Sequence, residues 1–292
     1  SQDIAIDAYR TDVLEPTERG TGAAVGVLGY RLAMLVSGGL ALILADEIGW
    51  RTTYFVMAAI MGCSMIVTLL APDPSSPAVV PKSLRVAVVE PLTEFFARPG
   101  AIALLLLIML YKFGDALAGT LTTAFLIRGV GFTPTDVGVI NKGLGLVSLL
   151  AGALVGGALL SRMSLYRALM WFGLLQAISN LSFMFLAWAG KDYAWLVFAV
   201  GFENLASGMG TAAFVALAMS LCNASFSATQ YALLSAIASL GRVLFGPVTG
   251  TMVNALGWPA FFFVTFVAAM PGLMLLYRLR GTLPALQPAV NR

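Results

Sequence analysis

Lys112 and Asp115 lie three residues apart in the middle of a long apolar stretch, within Tyr111-Lys112-Phe113-Gly114-Asp115. At helical spacing i, i+3 the two side chains share a face and can neutralise each other. A charge at membrane depth costs at least ~2.5 kcal/mol on insertion scales. A pair of leucines would insert more easily, so two retained charges point to a water-filled cavity. Other ionisable residues in apolar surroundings raise the same question: Asp3 and Asp7, Arg31, Glu203, Arg242 and, nearer a helix start, Lys142. Asp3 and Asp7 are spaced i, i+4. Two carboxylates on one face disfavour double ionisation, so one tends to hold a proton. They are candidates for proton coupling, or are simply hydrated or paired with Arg10. Glu203, followed by Asn204, is either a proton carrier or a partner for one of the cations. A guanidinium offers bidentate bonds to carboxylates. That chemistry suits Arg242, and it suits Arg31 unless Arg31 snorkels to the interface. The proton-coupling candidates are therefore Asp115 first, then Asp3, Asp7 and Glu203. The substrate-binding candidates are Arg31, Lys112 and Arg242, with Tyr111, Asn204, Gln230 and Tyr231 as neutral contacts. Asn141, Gln230 and Tyr231 stand at span beginnings and serve equally well as helix-packing hydrogen bonds.

The elements that must hold these residues are membrane helices. The chain has 292 residues, of which 59% are hydrophobic and 11% charged, whereas a soluble domain carries roughly a quarter charged residues. Such a surface is comfortable against lipid, not water. A span needs roughly 20 mostly apolar residues, and eight stretches qualify: 22–45, 53–71, 101–127, 137–160, 165–189, 195–221, 231–253 and 258–277. A ninth element, 1–10, resembles the cytoplasmic end of a helix whose start is absent. Short polar connections make neighbouring helices antiparallel. The longer break, 72–99, is rich in proline, and its pattern Leu84, Val88, Leu92, Phe95, Phe96 suits an amphipathic surface helix that Pro91 bends or restarts. The expected organisation is a partial N-terminal bundle over 1–71, a cytoplasmic linker over 72–99, and a complete six-helix bundle with a short tail over 100–292. Gly22–Gly26, Gly152–Gly156 and Gly246–Gly250 are GxxxG pairs that let helix backbones approach, and Pro247 predicts a local kink.

Taken alternately, the connections place Arg10, Arg19, Lys82, Arg85, Arg98, Arg162, Arg167, Arg278, Arg280 and Arg292 on one side, against Arg51, Arg128 and Lys191 on the other. By the positive-inside bias the linker and the C-terminus are cytoplasmic. No basic run suited to phosphates is present, so nucleic acid is not an expected partner. Histidine is absent, and Cys63 and Cys222 stand far apart in apolar context. Neither a metal site nor a cofactor is expected. The absence of a recognisable nucleophile–base arrangement argues against the rival reading of an intramembrane enzyme of lipid or wall-precursor metabolism. Short loops likewise disfavour a sensor or assembly subunit.

Several strings carry more than composition. SQDIAIDAYRTDVL (1–14), ERGTGAAVGVLGYRLAMLVSGGLAL (18–42), YKFGDALAGTLTTAFL (111–126), GFENLASGMGTAAFVALAM (201–219) and ATQYALLSAIASLGR (228–242) resemble the corresponding stretches of AmpG muropeptide permeases, of the major facilitator type. Gly156-Gly157 with Ser161, Arg162 and Arg167 faintly resembles that superfamily's Gly-and-Arg loop motif. The resemblance runs from the fourth family helix through the twelfth. It implies a multi-pass protein of the bacterial inner membrane. Such a protein imports N-acetylglucosaminyl-1,6-anhydro-N-acetylmuramyl peptides, an anionic sugar-peptide class, with protons as the coupling partner and lipid around it. The implied context is cell-wall recycling and, through it, β-lactamase induction. The family's first three helices are expected to precede Ser1, and without them the chain is not expected to transport. The family is also similar to acetyl-coenzyme A transporters, whose ligand the same cations would fit.

Overall fold

The structure is a computed structural model and describes residues 29–30, 32–71, 88–222 and 227–281. Asp3, Asp7 and Arg31 lie outside the described residues. Everything described is helical or a short connection: α1 (Leu32–Leu70), α2 (Glu90–Phe96), α3 (Ala101–Tyr111), α4 (Phe113–Ala124), α5 (Pro134–Leu160), α6 (Leu165–Ala189), α7 (Tyr193–Ser220) and α8 (Ser227–Arg278). Beyond α4 the chain continues as a wider π-type turn, Phe125–Val130.

Among the described residues, α1, α5, α6, the run Ala101–Val130 and the run Thr229–Gly281, which takes in most of α8, are long and apolar enough to cross a membrane. Two of these are too long to cross only once. At ~1.5 Å per residue, a ~30 Å hydrocarbon core takes about 20 residues, whereas α8 has 52. Its helical dihedrals are interrupted at Gly257 (φ 78°, ψ 167°), which opens the left-handed region to the backbone. Gly241 and Gly272 both pack against the 109–111 turn and stand nearly equidistant from Gly257, so the two arms of α8 run back alongside each other. The long helix α1 has the same interruption at Gly49 (φ 78°, ψ 157°), again followed by Trp. Split there, α1 and α8 each supply two spans, at the positions the apolar stretches predict. Pro247 keeps helical dihedrals, and the chain changes direction at Gly257.

The 28-residue α7 is long enough for a span but is not among the apolar five. Glu203, Asn204, Ser207 and Thr211 dilute its hydropathy, so polarity is concentrated in one helix. Elsewhere the outer surface is apolar as well as the interior. Leu154 is 76% and Leu70 78% exposed, while the small polar Ser179 and Asn180 are at 0%. An apolar exterior over an apolar core is the arrangement lipid favours.

The chain divides into two compact units, Ser1–Lys82 with Thr133–Lys142, and Ser83–Phe132 with Gly143–Arg292. In the first, the Asp46 carboxylate accepts from the Thr135 hydroxyl at 2.5 Å and from the Thr135 N–H at 3.3 Å. Lys142 lies over Gly38, and Gly138 abuts the Gly39 carbonyl. In the second, Gly152 and Gly156 of α5 meet the Leu205 and Met209 backbones of α7, and Gly208 returns the contact to Leu149. That GxxxG pair therefore does pack two backbones together. Gly246–Gly250 does not, since Gly250 has open space where a side chain would be.

The start of α2 explains Pro91, which occupies the first turn, where its missing N–H costs nothing. Phe95 is fully buried among Leu104, Leu107, Leu169 and Leu276, while Val88 and Phe96 are exposed. Arg98 binds Glu94 at 2.7 Å, donates to the Leu221 carbonyl and reaches Gln230 Oε1 at 3.3 Å. Gln230 Nε2 donates to the Pro91 carbonyl at 3.1 Å and to Glu94. This network ties α2 to the end of α7 and the start of α8.

Candidate functional site

The sequence predicts one uninterrupted span across 101–127. The structure breaks it at Lys112, whose dihedrals (φ −99°, ψ 4°) belong to neither α3 nor α4. Nothing in the local sequence forbids a helix there; tertiary packing sets the break. A Cβ at Gly272 would stand 2.7 Å from the Leu110 carbonyl, and one at Gly114 2.4 Å from the Thr265 carbonyl. The second arm of α8 thus presses its backbone against both sides of the break, which only glycine allows. A discontinuous helix exposes backbone polarity that continuous helices hide, and transporters place binding sites at such points.

At the break, Lys112 Nζ stands 3.7 Å from Asp115 Oδ2, with the two side chains 16% and 17% exposed. Lys112 Nζ donates to Thr211 Oγ1 at 3.0 Å, and the Thr211 hydroxyl in turn donates to the Ser207 carbonyl at 2.7 Å. Ser207 Oγ donates to Asp115 Oδ2 at 3.4 Å. Asp115 Oδ1 is buried without a hydrogen-bond partner. Glu203 is half-buried on α7, one turn from Ser207. Glu203, Ser207 and Thr211 therefore form a polar ladder along α7, spaced i, i+4, i+8, facing a single ion pair on α3–α4.

The other expected residues take different places. Arg242 is exposed on the first arm of α8 and makes no hydrogen bond or ion pair among the described residues. Its neighbour Gly241 lies against Phe113, and Phe113 meets Phe245 edge-on at 5.1 Å. Arg242 thus projects from the arm that flanks the break. Tyr231 is also exposed, at 37%. Tyr111 is buried; it stacks on Phe214 and donates its hydroxyl to the Leu169 carbonyl at 3.0 Å. Asn204 donates to the Val200 carbonyl at 2.9 Å and covers Gly145. Gln230 is fully buried in the α2 network rather than beside Lys112. In this conformation Tyr111, Asn204 and Gln230 spend hydrogen bonds on packing.

Two pairs of residues were not singled out from the sequence. Ser207 and Thr211 complete the ion pair, and their signal was available in the i, i+4 spacing from Glu203. Gln176 and Asn180 are buried in α6, and none of their four amide atoms has a hydrogen-bond partner. Among the described residues no group of His, Cys, Asp and Glu is arranged to hold a metal.

Residues 2–244 match the model of the Major Facilitator Superfamily. The chain is 57% identical over 284 residues to the anhydromuropeptide permease of Escherichia coli (strain K12), a match that takes in 97% of this chain and 58% of that protein's length. It is 33% identical over 284 residues to the putative transporter AmpG 4 of Rickettsia conorii (strain ATCC VR-613 / Malish 7), covering 94% of this chain and 68% of that one. The fold is similar, at a TM-score of 0.72 and 16% identity, to the crystal structure of a bacterial homolog to the human lysosomal transporter Spinster in an inward-facing, unoccupied conformation. That superposition takes in 97% of this chain and 75% of the other. The likeness establishes an all-α, multi-span membrane fold.

Proposed function

The chain belongs to the major facilitator superfamily and, within it, to the AmpG-type permeases, and from that premise we propose that it is the larger part of a proton-coupled importer of anhydromuropeptides, a transporter and not an enzyme. The observation that carries the substrate class is 57% identity, across nearly the whole chain, to a protein named for that cargo. The observation that carries the coupling chemistry is the Lys112–Asp115 pair at a helix break. The protein resides in the bacterial inner membrane as part of cell-wall recycling. The spans from Ala101 to Arg278 form its complete C-terminal bundle and the spans before Pro72 belong to a partial N-terminal one. The linker and C-terminus are cytoplasmic, as the arginine distribution supports.

In this reading Asp115 alternates between two states. Ionised, it is held by Lys112 and Ser207. Protonated, it frees the Lys112 ammonium, which keeps its bond to Thr211 and gains freedom to meet a substrate carboxylate. Glu203 offers Lys112 a second anionic partner one turn further along α7. Asp3 and Asp7 remain supplementary carriers of the proton. Arg242, exposed and unpaired among the described residues, binds stem-peptide carboxylates, with Arg31 as a second cation. Tyr231, which is exposed, serves as a neutral contact, whereas Tyr111, Asn204 and Gln230 first have to give up their packing bonds. Sugar-peptide and proton move together by exchange between inward- and outward-open states.

The test is uptake of radiolabelled anhydromuropeptide by cells that lack their own permease and carry the intact gene. Asp115→Asn is expected to abolish gradient-driven accumulation while sparing counterflow exchange. Normal pH-driven accumulation by that variant would remove Asp115 from the mechanism.

A further inference from the structure

Gln176 and Asn180 are four residues apart on α6 and therefore share one face. They are 3% and 0% exposed, in the interior of the second unit. None of the four carboxamide oxygens and nitrogens has a hydrogen-bond partner. Buried amides in this state are unusual, and an internal water commonly supplies what the protein does not.

The place is built for the Gln176 amide. A Cβ at Gly210 of α7 would stand 2.4 Å from Gln176 Oε1 and 3.2 Å from its Cδ, so the carboxamide fills the hollow that glycine leaves. Gly210 precedes Thr211, which holds Lys112, and lies one turn from Ser207, which holds Asp115. Tyr111, immediately before the helix break, bonds Leu169 and abuts Gly173 on α6, the turns leading to Gln176. The Gln176 amide thus reaches α7 at the level of the ion pair, and Asp115 Oδ1 at that level is also buried and without a partner.

We propose that Gln176 and Asn180 hold buried water inside the second unit and that this water bridges to the hidden oxygen of Asp115. The carboxamides offer donors and acceptors in equal number. Water is the ligand class that uses both, and it is small enough for a site closed to larger molecules. The bridge gives Asp115 a contact on the side away from Lys112, Ser207 and Thr211. It would hold the carboxyl in place when Lys112 departs, and this part rests on the transport reading above.

The primary test is an experimental structure of the wild-type protein at a resolution that shows ordered water. Water density within hydrogen-bonding distance of both carboxamides and of Asp115 Oδ1 is the expected result. A dry site, carboxamides bonded to each other, or water that stops short of Asp115 would overturn the proposal. Infrared difference spectra on acidification provide a second readout, with the Asp115 carboxyl band assigned by its loss in Asp115→Asn. In Gln176→Leu the band is expected to shift to higher wavenumber, as a carbonyl does on losing a hydrogen bond. An Asp115 band unmoved by Gln176→Leu would overturn the bridge. Complete absence of an Asp115 band in wild type would instead sink the proton-coupling reading, with the water density still deciding the site.

Discussion

Replacing Asp115 with Asn removes half of a charge pair whose ammonium and carboxylate stand 3.7 Å apart and are 16% and 17% exposed. Breaking a buried pair from one side costs about 3–5 kcal/mol, because the remaining charge is left without compensation. Here Thr211 still accepts from Lys112 and part of each side chain is open, so the lower end, ~3 kcal/mol, is appropriate. At ~2–4 °C per kcal/mol for chains of this order of size, melting falls by roughly 6–12 °C. The double variant Lys112→Met, Asp115→Leu removes both charges and both desolvation costs. Replacement of a buried pair by apolar residues is neutral or stabilising, so its melting temperature is expected to return to the wild-type value or above. Uptake should not return with it, because the carboxyl that carries the proton and the ammonium that meets the substrate are both gone. The assays are fluorescence-monitored melting in detergent and labelled-muropeptide uptake in complemented cells. Recovery of both stability and gradient-driven uptake in the double variant would refute the reasoning and leave Lys112–Asp115 as a structural ion pair.

Gly114→Ala should lower melting and folded yield, since its Cβ would meet the Thr265 carbonyl at 2.4 Å and overpacking costs about 1–3 kcal/mol. Gly119→Ala meets nothing within 4 Å and should be neutral or gain up to ~1 kcal/mol; similar losses in both would show that the α4–α8 contact is looser than described. Burial raises the Cys222 thiol above its ordinary value, with the Arg98 guanidinium drawing it partly back. Less thiolate is then present at a given pH, so iodoacetamide labelling of Cys222 should rise with a midpoint above ~8.5 and higher still in Arg98→Gln. A midpoint below ~8.5 would mean the guanidinium outweighs burial. Arg242→Lys keeps the charge but loses the planar fork, so competition binding should weaken more for the peptide-bearing ligand than for the bare anhydro-disaccharide. Equal losses, or none, would make Arg242 a structural cation.

The spans were legible because a bilayer demands about 20 apolar residues in a row and little else produces such runs. The turns within α1 and within α8 are legible as short polar gaps, but the dihedrals that Gly49 and Gly257 share appear only in three dimensions. The break at Lys112 was not legible. It depends on Gly272 and Gly114 pressing backbone against backbone across a long sequence separation, which no local pattern announces. Gln230 shows how polarity alone underdetermines role. Its partners Pro91 and Glu94 lie 139 and 136 residues away, and no local pattern announces them. Lys112 and Asp115 were legible as a pair, whereas Ser207 and Thr211, ordinary small polar residues, acquire meaning only from the helix they face.

The most direct measurement is accumulation of labelled anhydromuropeptide in membrane vesicles containing the intact gene product under an imposed inward proton gradient. Uphill accumulation that collapses when a protonophore dissipates the gradient is the expected result. Accumulation indifferent to the protonophore, or no uptake by a folded, inserted protein, would contradict it.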